Sequence, residues 1–156
     1  MDIQIATLCD FAADYNGKMV LNGTIDVLAA PALPIVQPQC CLALRLCITP
    51  EDNGQHKFSV NIIDGDGKSL DEKMPINADM PVDLPDDVPF VHRNLILNFQ
   101  GLKFNEAGIY FLDISIDDEL IQRLPIRVVQ VDQKAAQEQQ ASVSYTHLTL
   151  PTIYPV

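Results

Sequence analysis

The chain has 156 residues, 47 % apolar and 20 % charged, with 21 acidic against 10 basic side chains and a net charge of −11. That length suggests one domain, able to bury roughly two-thirds of its unfolded surface without a disulfide or a metal. The acidic field would repel a phosphate backbone, no basic cluster offers a local exception, and no apolar run approaches the ~20 residues of a membrane span, so neither a nucleic-acid nor a membrane partner is expected.

Apolar and polar residues alternate with a period of two almost throughout, which predicts an all-β domain over residues 1–132. Residues Ile3–Leu8 begin a strand. Asn16-Gly17 suits a turn of positive φ, and Lys18–Ala29 follows as one long strand forming a hairpin with the first. Gly23 inside it signals a bulge or a close backbone approach. The three prolines of Ala30–Pro38 predict an irregular crossover between sheets. In Gln39–Pro50, Leu42, Leu44, Leu46 and Ile48 take one face and Cys41, Ala43, Arg45 and Cys47 the other, the pattern of a central strand. Arg45 would reach from it to solvent or an acid.

Phe58, Val60 and Ile62 alternate inward along His56–Asp64, between turns at Glu51–Gln55 and Asp64–Lys68. From Ser69 to His92, Pro75, Pro81, Pro85 and Pro89 leave room for a short edge strand and a long loop. Asn94–Phe104, Gly108–Asp117 and Leu120–Val131 complete about seven antiparallel strands, with Asp117–Glu119 closing a hairpin. Short strands separated by regular turn signals read as a sandwich.

Leu97, Phe99, Leu102, Glu106, Gly108 and Tyr110 fall in the spacing L-x-I-x-x-L-x-x-x-D-x-G-x-Y. This resembles the corner between strands E and F of immunoglobulin-like domains. The resemblance implies strand E at Asn94–Gln100, strand F at Gly108–Ile116, and Tyr110 as a tyrosine corner bonded back to the corner backbone. Glu106 stands where Asp is usual, Leu112 where antibody-type domains carry their second cysteine, and the chain has no Trp. The expected fold is therefore an immunoglobulin-like antiparallel sandwich without a disulfide. The segments "LCDFA", "GKMVLNGTIDVL", "LALRL", "GQHKFSVNIIDGDGK" and "NLILNFQGLKFNEAGIYFLDISIDDE" resemble a family of uncharacterised bacterial proteins, a domain of unknown function, from about Ile5 to Val131. That resemblance implies a small intracellular protein and supplies no catalytic residue.

Chemistry-bearing motifs are scarce. The start "MDIQIATLCD" lacks the basic region of a secretory signal, and Cys9, Cys40, Cys41 and Cys47 include no C-x-x-C pair, so reduced thiols in the cytoplasm are expected. "DGDGK" resembles the opening of a calcium loop, but the twelfth position from Asp64 is Pro75 rather than a bidentate Glu, so it reads as a turn. Asp83, Asp86 and Asp87 are the weak candidates for a divalent cation. His56 is expected to be exposed, and His92-Arg93 could pair with Asp86 or Asp87. No nucleophile elbow or phosphate-cradling loop is present, so neither an enzyme nor a cofactor is expected.

The expected function is a non-catalytic protein-interaction or assembly module that binds a protein partner or itself. Leu33, Ile35 and Val36 in the crossover and Phe90 in the acidic loop are the candidate contacts, although Leu33 and Ile35 could instead cover the open end of the core. The alternative is a small-ligand or cation-binding module using loop 80–92. Residues 133–142 are a low-complexity tail. Residues 143–156, "VSYTHLTLPTIYPV", resemble a translation of the reverse complement of a transposase-based sequencing-library adaptor. They are expected to be an adaptor-derived, disordered ending.

Overall fold

Two antiparallel hairpins and a chain of sheet switches build the domain. The structure, a computed structural model, describes residues 1–132, so the expectations for 133–142 and 143–156 lie outside the described residues. The strands are β1 (Asp2–Tyr15), β2 (Lys18–Ile25), β3 (Val27–Ala30), β4 (Ile35–Ile48), β5 (Gly54–Ile63), β6 (Ile76–Val82), β7 (Val91–Phe104), β8 (Gly108–Ile116) and β9 (Glu119–Gln130). They form two sheets, ordered β2-β1-β4-β7 and β3-β9-β8-β5-β6. All pairings are antiparallel except β3 with β9. The molecule is an all-β sandwich.

The core lies between the sheets. Leu42, Leu44, Leu46 and Ile48 of β4 are buried against Val60 and Ile62 of β5, Leu112 and Ile114 of β8, and Ile126 and Val128 of β9. Alternation puts these side chains on inner faces, as a period of two requires. Burying each one fully contributes on the order of 2 kcal/mol.

Two segments depart most from the sequence expectation. The stretch 18–29 is two strands, not one. The chain bends at Asp26 and switches sheets, so β2 pairs with β1 while β3 runs parallel to β9. The crossover is shorter than Ala30–Pro38, because β4 begins at Ile35 and contains Pro38. Pro38 is tolerated because β1 pairs with β4 only as far as Cys9 opposite Cys41. Beyond that point β4 has one partner, β7, and the missing N–H costs no ladder bond on the empty side. The described residues form nine strands, where about seven were expected.

Strand β1, which begins as expected, runs on past Leu8 to Tyr15. Its first half pairs with β4 and its second half with β2. At Asp10, opposite Gly23, the hairpin folds back over the outer face of the first sheet. Gly23 has φ +69°, and a Cβ there would sit 2.5 Å from Asp10 Oδ2. The hairpin tip is a two-residue turn with φ 52° at Asn16 and 81° at Gly17. The covered face forms a second small core of Cys9, Cys41 and Ala43, packed by Ala12, Met19, Leu21 and Ile96.

Candidate functional site

Strand β7 forms one border of the first sheet and has β4 as its single ladder partner. It is 14 residues long. No main-chain group on its other side bonds to any described residue. The effect shows in matched pairs. Leu42 and Leu44 of β4 are fully buried, whereas the leucines opposite them on the same face, Leu97 and Leu95, are half-buried. Side chains of one type and one orientation differ because, among the described residues, no strand continues the sheet beyond β7.

The facing border of the second sheet is β6. Arg93 on β7 reaches across and donates to the Pro81 carbonyl at 3.0 Å. Farther along, a groove runs beside Asn98–Leu102, with Asp71, Lys73, Met74 and Ile76 as its opposite wall. Asn98 and Gln100 are exposed on the outer face of the edge.

The sequence candidates fall elsewhere. Ile35 is 7 % exposed and belongs to the core, and Leu33 packs against it, so both close the open end of the sandwich instead of offering a contact. The reason is the early start of β4, which turns Ile35 inward opposite Phe104. Val36 and Phe90 are exposed, at 51 % and 53 %. They lie on separate elements, Val36 on β4 and Phe90 in the loop before β7. A further apolar face is the outer side of the folded hairpin, where Phe11, Tyr15 and Val20 are exposed. Sequence reading passed over it because alternation alone does not reveal that the hairpin leaves the sheet.

The structure does not gather Asp83, Asp86 and Asp87 into a metal site. Among the described residues no group of three or more His, Cys, Asp or Glu side chains could hold an ion. These carboxylates point from an exposed turn closed by Val88 N–H donating to the Pro85 carbonyl. Arg93 and His92 form no ion pair with them, since Arg93 is drawn to Pro81 and His92 stacks edge-on against Phe90 at 5.4 Å. In "DGDGK", Asp64 Oδ1 accepts the N–H groups of Asp66 and Lys68, which makes it a self-closing turn.

His56 is half-buried rather than exposed. Its Nδ1 lies 2.6 Å from Asp117 Oδ2 and its Nε2 2.6 Å from the Asp52 carbonyl. Both partners are acceptors, so the ring fits best as an imidazolium donating twice. Its pKa is raised, first by the bond to Asp117 and then by the one to Asp52. Asp117 is held below the usual carboxylate range by His56 and by the Lys57 N–H. Neither ring nitrogen is left to take a proton from a substrate, and the pair acts as a clamp between the turns at Asp52 and Asp117.

Tyr110 opens β8, and its hydroxyl donates to the Glu106 carbonyl at 2.8 Å. Its ring meets Phe104 edge-to-face at 4.9 Å. Leu102 is buried beneath this corner, and Gly108 has φ +151°. The role of these residues is structural: they fix where the chain leaves β7 and enters the other sheet.

The strands just described lie almost wholly within the span matched by a known sequence family. The chain belongs to DUF6941, a family of unknown function, whose model matches residues 4–129. The match takes in both sheets, the folded hairpin and the open β7 edge. No curated protein matches the sequence. Among the described residues no helix is long and apolar enough to cross a membrane.

Proposed function

We propose that this DUF6941 chain is a non-catalytic protein-interaction or assembly module that works through the free edge of β7. One observation carries the reading: a 14-residue border strand whose outward main-chain groups bond to nothing described, beside half-buried Leu95 and Leu97. Such an edge is a template for an added strand, and proteins normally blunt it with charge, proline or a covering segment. The segment Asn94–Gln100 has no charge and no proline. The doubly bonded His56, which has no free nitrogen for general-base work, supports the absence of catalysis.

Two finer assignments belong to the same proposal. The sandwich is immunoglobulin-like, supported by the sheet-to-sheet step from β7 to β8 and the Tyr110–Glu106 bond at that step. The protein works in a reducing, intracellular compartment, supported by four free thiols.

The test is photo-cross-linking in cells, with the photoreactive side chain at Gln100 on the edge and, as a control, at Lys57 on the second sheet. Adducts of defined mass, with this protein or another, are expected from Gln100 and not from Lys57. No adduct from Gln100 would remove the reading.

A further inference from the structure

We infer that the occupant of the β7 edge is β7 of a second copy of this chain, paired antiparallel about a twofold axis. The inference rests on reading that edge as the interaction site and names its partner. An antiparallel strand edge is complementary to itself, because a twofold axis sets every outward N–H of one copy against a carbonyl of the other. No separate partner sequence is needed to match it.

Charge selects the same edge. The chain carries −11, yet Val91–Phe104 contains no Asp or Glu, only Arg93, Lys103 and His92. Two acidic molecules can meet here with no carboxylate on the pairing strands themselves. The remaining borders protect themselves. Strand β3 has four residues. Strand β6 has seven and includes Asp79 and Pro81. Strand β2 is folded away with its hairpin and carries Gly23 at positive φ. Pairing at β7 would join the two four-stranded sheets into one and shield Leu95 and Leu97 of both copies. Long-range repulsion between the two −11 bodies would oppose the encounter, so added salt should strengthen the dimer.

The experiment is sedimentation of the purified full chain from micromolar to sub-millimolar concentration, at low and high salt, with amide exchange measured in parallel. The expected result is a monomer–dimer equilibrium that shifts toward dimer with salt. Exchange across Leu95–Gln100 should slow as concentration rises. The double variant N98K/Q100K, at two exposed positions, should stay monomeric with an unchanged far-UV spectrum. A wild-type monomer at every concentration, a dimer that survives N98K/Q100K, or slowed exchange confined to another strand would each overturn the inference. A foreign adduct from Gln100 with a strictly monomeric protein would overturn the second copy and leave the interaction reading intact; no adduct of either kind would remove both.

Discussion

The guanidinium of Arg45 donates to the main-chain carbonyl of Gly17 at 2.9 Å, tying the middle of β4 to the tip of a hairpin 28 residues earlier. The same side chain donates to Gln4 Oε1 at 2.7 Å and to Asn94 Oδ1 at 2.6 Å. Asn94 in turn donates to Asp14 Oδ2 at 2.8 Å. These bonds hold the folded hairpin on the outer face of the first sheet, over Cys9 and Cys41, whose sulfurs lie 3.4 Å apart. The fan of donors explains a charged side chain on a central strand: it binds neutral oxygens from three separate elements.

Arg45→Ala should therefore loosen the hairpin without unfolding the sandwich. The expected loss is about 1–2 kcal/mol, the scale of hydrogen bonds from a charged donor at a partly exposed site. Urea unfolding would measure it. Burial pushes the Cys9 thiol up to about 12 and the Cys40 thiol to about 11, so both should resist alkylation in the native protein. Half-buried Cys47 should react first, and Arg45→Ala should speed labelling of Cys9 and Cys41 but not of Cys40, which faces the main core.

The His56–Asp117 clamp predicts a pH window. The folded pKa of His56 is raised above 6.5, so its contribution is complete below that pH and declines as pH rises through the folded value. The folded pKa of Asp117 is lowered from 3.8, so its contribution is complete above that pH and is lost as pH falls through the folded value. The stability gap between wild type and His56→Gln should be widest between those limits and narrow in alkali. Urea midpoints at a series of pH values would show it, and a gap that widens in alkali would contradict the clamp.

Gly23→Ala should lower the melting temperature. Alanine at φ +69° costs about 1–2 kcal/mol on conformational grounds. Its methyl group would also press on the Asp10 carboxylate. Adding Asp10→Ala should recover the contact part of the loss and leave the conformational part.

Tyr110→Phe removes one hydrogen bond and keeps the ring against Phe104. The expected cost is about 1 kcal/mol. Tyr110→Ala empties the site as well and should cost about 3 kcal/mol or more. A chemical-denaturation series on the two variants separates the bond from the packing.

Much of this molecule could be read from alternation. Leu42, Leu44, Leu46 and Ile48 are inward because a strand sends every second side chain to one face, and the four leucine and isoleucine positions state that face directly. Asn16-Gly17 announces its turn for an equally local reason, since both residues tolerate positive φ. Pro81 marked β6 as a border strand, because a proline cannot fill a ladder on both sides.

What alternation cannot express is which strands lack a neighbour. Leu95 and Leu97 have the same pattern as Leu44 and Leu42, yet end half-buried, because exposure of a strand depends on the strand beside it and that strand comes from elsewhere in the chain. For the same reason Ile35 could be read either as a surface contact or as a cover for the core, and proved to be core, while Phe11, Tyr15 and Val20 emerged on a hairpin that leaves its sheet. His56 met Asp117 across 61 residues, a proximity set by the β5–β8 pairing and by nothing local. The amino-acid sequence by itself determined most strand faces and the hairpin turns, which depend on neighbours in the chain. Tertiary structure decided the borders, the folded hairpin and, among the described residues, the unpaired edge of β7, which depend on what packs alongside.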